Sequence, residues 1–264
     1  MKLRIALIQM QVEMGNPERN FAHAKEMMEE AMERKPDILV LPETWNTGFF
    51  PRENLADLAD KEGKETSRLL SETASRYAVN IVGGSTAVQE GNDIYNRSMV
   101  FDRKGDLVST YDKMHGFSLS GEPGYFRMGN HLSHFTLDGI ECSMAICYDI
   151  RFPELIRREA LAGVDLFFVP AAWPKIRNAH WVRLNQARAI ENQFYLAAVN
   201  QAGHSGDTDY AGESLLLDPR GEDICHLEDT EEIAYGRMDT DVIKEVRTQI
   251  NVFRDRRPEW DRVE

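Results

Sequence analysis

Short unbroken apolar runs alternate along the chain with longer segments in which apolar residues recur every three or four positions. Leu3 to Met10 is the first such run and reads as a buried strand. Gly15-Asn16-Pro17 then breaks the chain, with Asn16 suited to cap a helix and Pro17 to its first position. Phe21, Ala24, Met28, Ala31 and Met32 follow on one helical face, and Glu26, Glu29, Glu30 and Glu33 cover much of the rest. Pro36 ends this helix. Asp37 to Leu41 forms a second short strand, with Pro42-Glu43 at its carboxyl end.

Leu55 to Tyr77 carries helical patterns broken near Gly63. Val79 to Ala87, Asn96 to Asp102 and Leu107 to Asp112 read as strands, with turns at Gly91-Asn92-Asp93 and Arg103-Lys104-Gly105-Asp106. Leu132 to Leu137 and Ile140 to Ile146 flank Asp138-Gly139, a hairpin signal. The pattern then predicts a helix from Pro153 to Gly163, a buried strand over Val164 to Val169 and a helix over Ala179 to Asn192. Strands over Phe194 to Asn200, Glu213 to Leu217 and Ile233 to Met238 precede a last helix, Asp239 to Val246. Helices separate some strands and hairpins others, which predicts a mixed α/β fold with sheets inside and helices outside. Strand, helix, strand, loop and hairpin strands recur in each half. No stretch has the composition of a linker, so residues 1–264 are expected to form one domain.

Charge narrows the partners. Lys and Arg number 31 against 44 Asp and Glu, a net −13, which argues against the cationic face that nucleic acid or an anionic membrane surface needs. The apolar runs stop short of the roughly 20 residues of a membrane helix. The opening apolar stretch is too short for a secretion signal and is interrupted by Gln9, Gln11 and Glu13. Three cysteines, an odd number, do not suggest a disulfide framework, so a reducing, cytoplasmic setting is expected.

Three places combine a reactive side chain with a strand end. Glu43 follows a buried strand, where desolvation suits a carboxyl to general-base work near neutrality. Lys113 follows the strand ending Tyr111-Asp112. Cys147 ends the run Ser143-Met144-Ala145-Ile146 just before the helix that begins at Pro153, near backbone donors that favour a thiolate or hold an oxyanion. Strand alternation puts Cys142 with Ile140, Met144 and Ile146 toward a core and Cys147 on the other parity. Cys142 thus reads as structural and Cys147 as the candidate nucleophile. Cys225 lies in a polar stretch with no base near it. Taken singly, each residue also fits an inert role: a solvated Glu, a surface Lys, a buried thiol.

Taken together, Pro42-Glu43, Tyr111-Asp112-Lys113-Met114-His115 and Cys147-Tyr148-Asp149-Ile150-Arg151-Phe152-Pro153-Glu154-Leu155 resemble the nitrilase superfamily of carbon–nitrogen hydrolases. The resemblance runs from Ile5-Ala6-Leu7-Ile8-Gln9 to Arg188-Ala189-Ile190-Glu191-Asn192-Gln193 and Asn200. It implies a four-layer α-β-β-α sandwich, commonly a homodimer joined through helices. It implies a catalytic set of Glu43, Lys113 and Cys147, with a second active-site glutamate at Glu122 in Gly121-Glu122-Pro123-Gly124, and no metal or cofactor. Cys147-Tyr148-Asp149 looks like the amidase side of the family. With Arg151-Phe152-Pro153 and Trp173-Pro174 it is similar to omega-amidases, which hydrolyse short 2-oxo acid amides. Tyr148, Arg151 and Trp173 are the expected substrate contacts. Lys113-Met114-His115-Gly116-Phe117 departs from the Lys-x-His-Leu-Phe common in that group, which bears on the pocket wall. The competing readings are an N-carbamoyl or aliphatic amide hydrolase of the same family, a Cys-His thiol hydrolase using His180, His204 or His226, and a non-catalytic binding protein. Arg151 has a competing role too, a salt bridge to Asp149 or Glu154.

Overall fold

The computed structural model describes residues 1–49 and 51–261. The first strand, β1 (Lys2–Gln9), is buried on both faces. Leu3, Ile5 and Leu7 join one core and Ala6 and Ile8 another. The Asn16 side chain accepts the Arg19 N–H and starts α1 (Pro17–Ala31), which returns the chain to β2 (Ile38–Val40), parallel to β1. Two short elements, α2 (Leu55–Leu58) and β3 (Asp60–Lys61), lead to α3 (Lys64–Tyr77) and to β4 (Asn80–Val82), parallel to β2. Three antiparallel strands follow: β5 (Thr86–Glu90), β6 (Asp93–Phe101) and β7 (Leu107–Asp112).

The expected single strand over Val79 to Ala87 is instead two, divided at Gly83-Gly84. Gly84 has φ +62°, and a Cβ there would lie 2.0 Å from the Pro42 carbonyl oxygen. The break lets the chain wrap the Pro42-Glu43 corner, where the Ser85 N–H donates to the Pro42 carbonyl at 2.9 Å.

In the second half, β8 (His134–Leu137) and β9 (Ile140–Met144) close over Asp138 and Gly139, whose φ values of +50° and +82° are those of a two-residue hairpin loop. Two crossover helices, α4 (Pro153–Leu161) and α5 (Asn178–Asn192), connect β9, β10 (Leu166–Ala171) and β11 (Tyr195–Asn200) as parallel neighbours. A small ribbon of β12 (His204–Ser205) and β13 (Thr208–Asp209) precedes β14 (Leu215–Leu217) and β15 (Asp223–His226). The pattern gave no strand at β15; pairing with β14 holds this polar stretch extended. β16 (Glu232–Asp239) crosses back to pair with β1, and α6 (Thr240–Gln249) and α7 (Pro258–Asp261) follow.

One sheet runs β16-β1-β2-β4-β6-β5-β3, with β7 beside β6, and the other runs β15-β14-β11-β10-β9-β8. In each, three parallel strands lie between antiparallel neighbours, which is the structural form of the repeat legible in the sequence. Ile5, Val40 and Val82 of one sheet share a core with Met144, Phe168 and Ala198 of the other. On the outer face of the first sheet, Met28, Leu70 and Ala74 of α1 and α3 pack on Ile8, Leu39 and Ile81. With α4 and α5 outside the second sheet, the layers are α-β-β-α.

Leu155, Ile156 and Ala160 of the apolar stripe on α4 are buried in this chain's own core. Only Leu161 of that stripe faces outward.

Candidate active site

The carboxyl ends of β2, β7, β9 and β10 bring the reactive side chains together. Glu43 is fully buried, and three donors fix it. Lys113 Nζ and Asn96 Nδ2 each reach Oε1 at 2.8 Å, and the Ala172 N–H reaches Oε2 at 2.7 Å. Gln201 Nε2 donates to the Glu43 carbonyl at 2.6 Å and steadies the same corner.

Lys113 is positioned by β6, whose Asn96 carbonyl accepts the Lys113 N–H at 3.0 Å. Glu122, on a short 3-10 turn, takes Lys113 Nζ at 2.9 Å on both oxygens and the Phe117 N–H at 2.7 Å. The lysine therefore sits between two buried carboxylates. Burial would push its ammonium down, but Glu122 and Glu43 outweigh that and hold it well above its ordinary value.

Cys147 lies beside this cluster with φ +50°, at the start of a 3-10 elbow over Cys147–Arg151. The strand itself ends at Met144, so strand parity does not aim the thiol as the sequence reading had it. The left-handed turn does, at a cost of roughly 1–2 kcal/mol for a non-glycine residue. Cys142 is fully buried in the inter-sheet core, and Cys225 is half-buried on β15. Burial pushes the Cys147 thiol well above its usual range, the Glu43 carboxylate adds to that, and Lys113 opposes it. The resting group is the neutral thiol.

A cavity of about 460 Å³ opens over the thiol, walled by Phe117, Tyr148, Arg151, Trp173 and Arg177. Among the described residues Arg151 makes no carboxylate pair. Asp149 is saturated by other donors, and the guanidinium instead lies 4.6 Å from the Trp173 ring and 3.4 Å from His180 Nδ1. Burial pulls Arg151 below its ordinary value. Arg177, which the motifs did not flag, stacks 5.1 Å from the Phe117 ring and also forms no ion pair among the described residues. No histidine lines the described cavity. His204 bonds Asp209, and His226 bonds Glu213 and Asp223. No group of three or more His, Cys, Asp or Glu is arranged for a metal among the described residues.

A model of the carbon-nitrogen hydrolase family matches residues 4–248. The chain belongs to the carbon–nitrogen hydrolase family. It is 40% identical to the 2-oxoglutaramate amidase of Bacillus subtilis (strain 168) over 255 residues, covering 97% of this chain and 98% of that one. It is 31% identical to an omega-amidase of Homo sapiens over 271 residues, covering 99% and 97% of the two chains. Among solved structures, XC1258 from Xanthomonas campestris, a CN-hydrolase superfamily protein with an arsenic adduct in its active site, matches with TM-score 0.91 at 27% identity, covering 97% and 98%.

For a carbon–nitrogen hydrolase the cluster has a useful electrostatic property. Two carboxylates against one ammonium leave one net negative charge, and passing a proton from thiol to Glu43 moves that charge onto sulfur without changing the buried total. No motif marks Asn96 or Ala172. Asn96 had one signal, an amide in the middle of a half-buried strand. The Ala172 contribution is a backbone N–H and has none. Gly116, where the resemblance departs, has a packing reason: a Cβ there would lie 2.9 Å from both Met128 Sδ and Pro123 Cγ, against the loop that carries Glu122.

Proposed function

We propose that this carbon–nitrogen hydrolase cleaves a short amide bearing a carboxylate at its far end, of the 2-oxoglutaramate type, through a thioester on Cys147. Glu43 takes the Cys147 proton and the thiolate attacks the amide carbon. Lys113 and the Tyr148 N–H hold the tetrahedral oxyanion. Glu43 returns the proton to the departing nitrogen, which leaves as ammonia. Glu43 then deprotonates a water that attacks the thioester, releasing the acid and restoring the thiol. Glu122 keeps Lys113 charged and aimed. The observation that carries the chemistry is the Glu43–Lys113–Glu122 bridge, at 2.8 and 2.9 Å, beside a cavity-facing thiol. The absence of a cavity histidine among the described residues favours Glu43 over a Cys-His pair.

The carboxylate preference is supported by Arg151 and Arg177, two guanidiniums on the cavity wall without carboxylate partners among the described residues. A chain of net charge −13 repels anions at long range, so an anionic substrate needs such local cations. The names of the relatives point the same way. Ammonia release from 2-oxoglutaramate, neutral amides of equal length, carbamoyl compounds and nitriles tests the reading. Faster turnover of neutral amides or carbamoyl compounds overturns the substrate assignment.

The same reading includes one domain, a cytoplasmic setting, where the three free thiols stay reduced, and a homodimer. No helix among the described residues is long and apolar enough to cross a membrane. Leu161 and Ile190 are exposed on the outer helices and suit a helix-mediated contact. The assembly is a homodimer or a larger homo-oligomer, so light scattering should give at least twice 30.2 kDa; a monomer at micromolar concentration refutes it.

A further inference from the structure

Asp149 is fully buried and accepts four hydrogen bonds. The His115 N–H and His115 Nδ1 reach Oδ1 at 2.8 and 2.7 Å, and the Tyr111 hydroxyl and the Ile146 N–H reach Oδ2 at 2.8 and 3.0 Å. Two of the donor residues, Tyr111 and His115, flank Lys113 by two positions on either side. The third, Ile146, directly precedes Cys147, and Asp149 itself is inside the elbow. The Asp149 N–H returns to the Ile146 carbonyl at 3.0 Å and closes the turn that holds Cys147 at positive φ. The His115 ring also stacks on Phe152, at the far end of the elbow, with centroids 3.7 Å apart and planes 11° from parallel. Burial and the Asp149 charge push the Tyr111 hydroxyl well above its usual range, so it remains a donor.

We propose that Asp149 and His115 form a positioning clamp that sets the Cys147 thiol against the Lys113 ammonium. The clamp rests on the reading of those two groups as nucleophile and oxyanion donor. His115 is not a base for the thiol: Nδ1 is committed to Asp149, and the ring does not line the cavity. Its work is to join two chain segments whose relative placement no single sheet determines, since Lys113 follows a strand of one sheet and Cys147 a strand of the other. A misplacement of 1 Å costs on the order of a hundredfold in rate, with little effect on groups that only bind the far end of a substrate.

Three substitutions at the half-buried His115 separate positioning from bulk stability. His115→Ala removes both the Nδ1 donor and the stack. His115→Asn keeps a donor at the Nδ1 position, and His115→Gln moves it one bond out. On the preferred substrate of the panel, His115→Ala should lower kcat by about tenfold to a hundredfold with KM within about twofold. His115→Asn should recover most of that loss and His115→Gln little of it. Alkylation of Cys147 by iodoacetamide at fixed pH should slow in the same order. Unchanged kcat in His115→Ala, or equal losses in the Ala and Asn variants tracking their melting temperatures, overturns the clamp. Cys147→Ala is measured alongside. If it retains turnover, the nucleophile reading has failed; if it is inactive while His115→Ala is normal, the clamp alone has failed.

Discussion

The Ala172 N–H donates to Glu43 Oε2 at 2.7 Å, while the Glu43 N–H donates to the Ala171 carbonyl at 3.2 Å. Glu43 follows β2 and Ala172 follows β10, the central parallel strands of the two sheets. The proposed base is therefore aimed by the main chain of the opposite sheet, which no substitution short of proline at position 172 removes.

Cys147→Ala should abolish ammonia release while the melting temperature stays close to wild type, because the thiol is at a cavity floor and its loss leaves little new void. Cys142→Ala and Cys225→Ala should remain active, with Cys142→Ala the less stable of the two because it opens space in the inter-sheet core. Turnover above a few per cent in Cys147→Ala would remove it as nucleophile.

Glu43→Gln should separate thiol reactivity from turnover. The Glu43 charge helps hold the thiol above its usual range and Lys113 opposes it, so removing the carboxylate takes away the raising charge and leaves the ammonium, still paired with Glu122, in place. The thiol then titrates lower and more thiolate is present at a given pH. Alkylation by iodoacetamide should be faster than wild type near neutrality, while hydrolysis falls by about a hundredfold or more for want of a base. Slower alkylation in this variant contradicts the electrostatic account.

Lys113→Met removes the cation shared by two buried carboxylates, and a stability loss of about 3–5 kcal/mol is expected. The double variant Lys113→Met, Glu122→Gln should regain part of that stability without regaining activity, because one uncompensated charge is gone but no oxyanion donor has returned. Thermal melts beside initial rates read both outcomes. Additive stability losses would show that the two residues do not interact as the geometry implies.

Arg151→Lys and Arg177→Lys test which guanidinium binds the carboxylate. The residue that does should raise KM for an anionic amide far more than for a neutral amide of equal length, since a single ammonium does not reproduce the bidentate fork. Equal losses on both substrates assign that arginine to the wall.

The order of elements and the three reactive corners were legible because their signals are local: an apolar run, a turn residue and a reactive side chain just after the run. Strand alternation marks Cys147 only if the strand runs to its end, whereas β9 stops at Met144 and the aiming comes from a positive φ that alternation does not encode. Asn96, Ala172, Gln201 and Arg177 were invisible for a different reason. Asn96 reaches Glu43 through the strand order of one sheet, the others act across the gap between the two halves, and Ala172 acts with a group every non-proline residue carries. The split at Gly83-Gly84 could have been read from the glycines, but the β-branched and apolar residues around them favour one continuous strand.

The matched sheets have a consequence for the partly folded chain. The proposed base and oxyanion donor belong to the first sheet, and the nucleophile to the second. A chain with one sheet formed thus holds either a carboxylate–lysine cluster with no nucleophile or a thiol with no base. Docking of the sheets is the event that completes the proposed catalytic set, so amide hydrolysis waits on assembly of the two halves.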